Sequence, residues 1–351
     1  MMSAARGHHR SPPRSSTSIL RSRSLLEGTN MNKATWGFVA LAVLSSAACS
    51  SSETGTSVSS STGSGGSTTT ATGGSGGTGG VLPPLGGDRP VDVVSPDNLA
   101  PGEKAPLVLL LHGYGVSGLV EDLYMGLTSS AKTRGFFYAH PTGTVDGSGS
   151  YFWNATDACC NFNGSTVDDS AYLTSVIDEI IARYPVDPKR VYLIGHSNGG
   201  YMSYRMACDH ADKIAAIASL AGAMWLDTSK CQPSGPVHVL QIHGTADEEV
   251  LYDGETTGSG SGLVGYPSAE TTVGDWAEID GCAKTADTTQ PPLDLDVKLA
   301  GAETTVTRYA DQCKAGGSAE LWTIEGGSHI PQIGDGFRTS VIDFLFAHPK
   351  P

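Results

Sequence analysis

The chain has 351 residues, with 22 Lys and Arg against 36 Asp and Glu, a formal charge of −14. Six basic side chains and one acidic one precede Ser50, so the remainder carries a formal balance of −19. An acidic body of that size argues against nucleic acid and other anionic polymers as partners and leaves neutral or weakly charged substrates open.

Residues 1–30 are rich in Arg and Ser without period and read as an upstream extension or a disordered leader. Met31 opens a second pattern. Lys33 supplies a positive start, Trp36 to Leu44 a short apolar run, and Ser45 to Ala48 small residues. This layout is a secretory signal over 31–48, too short to be a membrane span. Cys49 follows the small residues as the lipidated Cys of a bacterial lipoprotein signal does, with Ser46 where a Leu is usual. Lipidation there is the expected membrane attachment, and the only one. Residues 49–80 are nearly all Ser, Thr and Gly, a composition that buries little and tethers flexibly. The folded domain is expected over 81–351, long enough for one α/β core.

Within it, strands and helices alternate. "RPVDVVS" reads as an edge strand, and "PLVLLLHG" as a strand buried on both faces. "GFFYAHP" is a further strand. "DDSAYLTSVIDEIIARYPV" has apolar residues at helical spacing, with Asp168 and Asp169 at its positive end. "RVYLIG" is a buried strand and "NGGYMSYRMACDHADKIA" a helix; "AAIASLAG" and "PVHVLQIHG" are two more strands. "ETTVGDWAEIDGC" and "DGFRTSVIDFLFAHP" are helices around a last strand, "AELWTIEG". The pattern predicts an α/β fold with a mainly parallel sheet, whose chemistry collects at the carboxyl ends of the strands.

Three of those ends carry the candidate catalytic groups. Gly195-His196-Ser197-Asn198-Gly199 lies between a strand and a helix, the setting of a nucleophile elbow. The alternative is a glycine-rich turn whose Ser caps the helix. A Ser hydroxyl needs a base, and the base an orienting carboxylate. Asp247, just past "PVHVLQIHG", is the candidate acid, with Glu248 and Glu249 as rivals. His329, past "AELWTIEG" and two glycines, is the candidate base. His112 and His243 precede glycines at strand ends and read as packing or hydrogen-bonding residues, and His196 should point away from Ser197. The backbone N–H groups of Asn198 and of Tyr114, in the loop after "LVLLL", are the candidate oxyanion donors.

The blocks "PLVLLLHGYG", "FYAHPTGT", "WNATDACCN", "VDDSAYLTSVIDEI", "YPVDPKRVYLIGHSNGGYMSYRMAC", "HGTADEEVLYDG" and "IEGGSHIP" run in this order through nearly the whole domain. In that order they resemble the extracellular esterases that include polyhydroxybutyrate depolymerases and feruloyl or acetyl xylan esterases. The resemblance implies the α/β-hydrolase fold and a triad of Ser197, Asp247 and His329. In that family a Trp-Pro pair often follows the His; here it is Ile330-Pro331, so the Trp that would border the pocket is replaced. The expected substrate is a feruloyl or acetyl ester on a plant polysaccharide fragment, with polyester as the alternative. A peptidase on the same fold and a non-catalytic surface binding protein are the other classes. No metal or cofactor is expected, and the chain is read as a monomer.

Six cysteines remain beyond Cys49: Cys159, Cys160, Cys208, Cys231, Cys282 and Cys313. An even set in an exported chain reads as disulfides. The expected pairs are one of Cys159 and Cys160 with Cys208, and Cys282 with Cys313. The segment around Trp153 and the vicinal cysteines reads either as a pocket wall near the oxyanion donors or as a disulfide-pinned structural loop. The Gly-rich 251–270 segment is a lid or a tolerated insertion.

Overall fold

The computed structural model describes residues 83–257 and 264–351. The expected signal, Cys49 and the tether lie outside the described residues, as do six positions, 258–263, of the Gly-rich segment.

The centre is an eight-stranded sheet. Its strands are β1 (Val93–Val94), β2 (Ala105–Leu111), β3 (Phe137–Ala139), β6 (Val186–His196), β7 (Ala216–Leu220), β8 (His238–Gly244), β9 (Thr304–Tyr309) and β10 (Ser318–Ile324). Their spatial order is β1-β3-β2-β6-β7-β8-β10-β9. The six inner strands run parallel, and β1 and β9 close the two edges antiparallel. A separate hairpin joins β4 (Thr144–Val145) to β5 (Tyr151–Phe152). The helices are α1 (Gly118–Met125), α2 (Leu127–Arg134), α3 (Asp169–Arg183), α4 (Asn198–Asp209), α5 (Ala269–Ile279) and α6 (Asp335–Ala347).

Strand β2 explains the layering. Its side chains alternate between faces, so Leu107, Leu109 and Leu111 join one core and Val108 and Leu110 the other. The first core is closed by α3, α4 and α5 through residues such as Leu173, Tyr204 and Trp276. The second is closed by α2 and α6 through Leu127, Val341 and Leu345. All seven β2 residues are buried, as the unbroken apolar run requires.

Two aspartates at the start of α3 divide their labour. The Asp168 side chain caps the helix by accepting from Ala171 N at 3.0 Å. Asp169 is fully buried and pairs with Arg89 at 2.5 Å while accepting from Asn154 N at 2.7 Å. It anchors the segment before β1 and the loop after β5 to the helix.

The disulfides correct one expectation. Cys208 pairs with Cys231, not with Cys159 or Cys160, and those two pair with each other; Cys282 pairs with Cys313 as expected. Cys208 lies in the last turn of α4 and comes within 5.2 Å, Cα to Cα, of Cys231 in the loop before β8. That distance suits a bridge, and the sequence separation of 23 residues is spanned by β7 and a short 3-10 turn.

Candidate active site

Ser197 sits at the junction of β6 and α4 with φ of 53° and ψ of −118°. A non-glycine residue at positive φ costs on the order of 1–3 kcal/mol and persists only where the surroundings enforce it. Here they do. A Cβ on Gly195 would lie 2.0 Å from the carbonyl oxygen of Gly199, and one on Gly199 would lie 1.9 Å from that of Leu111. Strand, turn and helix pack backbone against backbone, which only glycine permits at both places. Ser197 N–H donates to Leu220 O at 2.8 Å. The Ser197 side chain makes no capping bond to α4, so the helix-cap alternative does not describe it. The residue is half-buried beside Gly113 of the β2–α1 loop.

The acid is separated from its rivals by burial. Asp247 is buried at the end of β8, whereas Glu248 and Glu249 are exposed. Its Oδ1 accepts the N–H groups of Glu249 and Val250, both at 2.9 Å. Its Oδ2 lies 2.8 Å from His329 Nδ1 and 3.3 Å from His243 Nε2. Burial by itself would raise the Asp247 carboxyl, but the hydrogen bonds from His243 and His329 outweigh it and hold the group well below the usual carboxylate range. His329 is pushed the other way. Burial, with help from nearby His196 and His243, lowers the imidazole below its ordinary value against the pull of Asp247.

The two candidate oxyanion donors lie at the start of α4 and in the β2–α1 loop. Asn198, fully buried, starts α4, where backbone N–H groups have no helical partner. Its side chain is committed elsewhere: Oδ1 accepts from Trp153 N at 2.7 Å and Nδ2 donates to Trp153 O at 3.0 Å. In the β2–α1 loop, Gly113 N–H donates to Glu121 and Gly115 N–H to Tyr151 O. Tyr114 N–H, between them, is the loop donor that neither of these bonds engages. The Tyr114 ring packs edge-on against Phe162 at 5.2 Å, and its hydroxyl donates to Asp146 at 2.7 Å.

Trp153 is core, not wall. It is fully buried, packs at a tilt against His112 with ring centroids 4.8 Å apart and donates from Nε1 to His112 O. The Cys159–Cys160 bridge lies against Asn198, whose Nδ2 is 3.7 Å from Cys159 Sγ. The loop is thus both structural and adjacent to Asn198, a candidate oxyanion donor. His112 and His243 are hydrogen-bonding residues, as expected. His112 Nε2 accepts from Gly143 N at 2.8 Å, and its Nδ1 donates to Gly113 O. His243, next to Asp247, also touches Val250 O at 2.8 Å through Nε2.

Three residues of this site escape sequence reasoning. Glu121, on α1, is buried under the elbow and accepts from Gly113 N at 3.0 Å. Gln241, on β8, bridges Tyr204, Gly222 and His243. Tyr124 places its ring 5.5 Å from His196 and donates to Pro331 O, two residues past His329. Only Gln241 had a signal, a lone amide inside an apolar strand.

Residues 83–253 match a family model described as "Putative esterase". Over those residues the chain is similar to that esterase family, and its fold is that of the α/β hydrolases. It is 35% identical over 163 residues to the "Putative esterase NocK" of Nocardia uniformis subsp. tsuyamanensis, covering 46% of each chain. It is 29% identical over 252 residues to "Feruloyl esterase B" of Piromyces equi, covering 71% of this chain and 43% of that one. The chain thus spans less than half the length of these curated relatives. The solved acetyl xylan esterase from Aspergillus awamori shares the fold, with a TM-score of 0.53 at 16% identity over 73% of this chain and 93% of that one. The elbow, Asp247 and His329 lie past the ends of β6, β8 and β10, neighbouring positions in the sheet apart from β7.

Proposed function

We propose that the protein is an exported serine esterase acting through a covalent acyl-enzyme. The observation that supports it most is the 2.8 Å bond from His329 Nδ1 to buried Asp247, at the sheet end where Ser197 is held at positive φ. In this reading the Ser197 hydroxyl attacks the ester carbonyl carbon, and His329 Nε2 takes its proton. Asp247 fixes the Nδ1–H tautomer and stabilises the imidazolium. The oxyanion is held by Asn198 N–H and Tyr114 N–H. The tetrahedral intermediate breaks its bond to the alkoxide, which leaves as the alcohol with the proton from His329. Water then attacks the acyl-enzyme, gives a proton to His329, and the acid departs as Ser197 regains its hydrogen.

The substrate class is a feruloyl or acetyl ester of plant polysaccharide fragments. Similarity to a protein named feruloyl esterase supports it, as does an acidic body suited to uncharged saccharides. Export is supported by the signal pattern over 31–48 and by three disulfides in the folded part. The chain would be attached to a membrane through lipidated Cys49 and act as a monomer. The test is a panel of p-nitrophenyl acetate, methyl ferulate, acetylated xylo-oligosaccharide and a hydroxybutyrate oligomer, run with the protein and with Ser197→Ala. Serine-dependent turnover of methyl ferulate or the xylo-oligosaccharide is expected. Turnover of the hydroxybutyrate oligomer alone would overturn the substrate class, and undiminished turnover by Ser197→Ala would overturn the mechanism.

A further inference from the structure

The residue preceding Ser197 differs from the other buried histidines of the site in what its ring nitrogens face. His196 Nδ1 is 3.1 Å from Glu121 Oε1, and its Nε2 is 3.0 Å from the backbone carbonyl oxygen of His329. A carbonyl oxygen only accepts, so Nε2 carries a hydrogen. Glu121 Oε2 accepts from Gly113 N at 3.0 Å, so the proton that Glu121 and His196 share lies in the Oε1–Nδ1 contact. His112, by contrast, has an N–H donor facing its Nε2, and His243 faces Gln241 Nε2 with its Nδ1 at 3.1 Å. Each of those has an N–H donor facing one nitrogen; at His196 that place is taken by the Glu121 carboxyl.

We infer that Glu121 and His196 form a buried carboxylate–imidazolium pair, which fastens the oxyanion loop and the His329 loop to the elbow and keeps the His329 imidazole neutral. The inference rests on the serine-esterase reading and deepens it; both residues are positioning residues. Glu121 is 3% exposed and His196 6%, so neither charge is met by bulk water. The pair links three segments distant in sequence: α1, the β6–α4 elbow, and the loop after β10. The groups that face His196 are Glu121 and the Tyr124 ring from α1, Asp247 from the loop after β8, and the His329 ring, whose centroid is 5.1 Å away. Those that face His329 are Asp247, His196 and His243. Burial opposes a charge on His196, but the carboxylate and the two accepted N–H bonds outweigh it and push the imidazole up. A cation 5.1 Å from the base disfavours a second one there, so His329 gives up its proton at lower pH and serves as base further into the acid range. Glu121 touches the Nδ1 side of His196 and His329 O the Nε2 side, so the cation is the nearer charge to the base.

The test has two arms on the full chain. In the first, nitrogen-15 imidazole shifts are recorded between pH 6 and 8, with His196→Gln used to assign the His196 signals. Two protonated nitrogens on His196 beside a neutral His329 are expected. A single protonated nitrogen on His196, meaning that the proton sits on Glu121, overturns the inference and needs no variant at Glu121 to fold. In the second, kcat/KM for p-nitrophenyl acetate is followed against pH for the protein, Glu121→Gln and Ser197→Ala. Loss of the carboxylate releases the His196 proton, so the acid limb should move up by about one pH unit and kcat should fall about tenfold with KM nearly unchanged. A folded Glu121→Gln with an unmoved acid limb overturns the inference. Turnover that survives Ser197→Ala overturns the esterase reading instead, and the imidazole shifts still decide the ion pair.

Discussion

The elbow and the loops that face it are held by opposite means. Around Ser197, contact is between backbones: Gly195, Gly199 and Leu111 approach so closely that no Cβ fits. Around Asp247 and His329, position is set by side-chain hydrogen bonds, from His243, Glu249 and Val250 on one side and through His196 on the other. A backbone lock tolerates no substitution but needs no charge. A side-chain lattice tolerates some, yet its geometry depends on protonation. Strain is therefore stored at Ser197, and tuning of the proton affinity is left to the lattice.

Breaking the lattice at its centre should have the largest effect. Asp247→Asn keeps the shape and removes the charge that sets the His329 tautomer; kcat for p-nitrophenyl acetate should fall about 10⁴-fold with an unchanged urea midpoint. A loss below about 10-fold would shift the acid role to another carboxylate. Breaking the backbone lock comes next and should show in stability. Gly199→Ala drives a methyl into Leu111 O and should cost about 3 kcal/mol or more, read from urea unfolding, with activity lost in proportion to folded protein.

A control outside both regions sharpens the contrast. Asp280, at the end of α5, is fully buried with neither carboxyl oxygen hydrogen-bonded among the described residues. Burial pushes its carboxyl up to about 7. An acid whose folded value is raised binds its proton more tightly in the native state. Its contribution to stability is therefore full below pH 4 and is lost as pH rises through 7. Asp280→Asn should remove that loss and raise stability at pH 8 by about 2 kcal/mol, with less change at pH 5 and none in kcat. Equal melting temperatures for the two proteins at pH 8 would contradict it. The smallest effect is expected at the lattice rim: His243→Gln leaves Asp247 its other three bonds and should lower kcat about 10-fold, with KM held.

The same contrast explains what the sequence made legible. The elbow is local, and its glycines, strand and helix are contiguous, so pattern alone located it. Asp247 and His329 stand out as candidates because each follows an apolar strand of the parallel sheet. Helices α1 and α2 escaped because their apolar residues do not form an inward stripe: Leu119, Val120 and Leu123 are exposed, and α2 buries only Leu127 and Ala131. Glu121 lies on α1 and meets His196 across 75 residues, so nothing local marks the pair. Strand β9, "TTVTRY", is mostly polar because it forms the sheet edge, and it too went unread. The pairing of Cys208 depended on where the chain leaves β7, which spacing does not specify.

The central claim is that one hydroxyl, Ser197, is the nucleophile of this fold. The most direct measurement is the intact mass of the protein after reaction with a fluorophosphonate, followed by peptide mapping. One adduct per chain is expected, on Ser197, at a rate that falls as His329 becomes protonated and absent in Ser197→Ala. An adduct on another residue, or an unmodified chain that remains folded, would contradict the account.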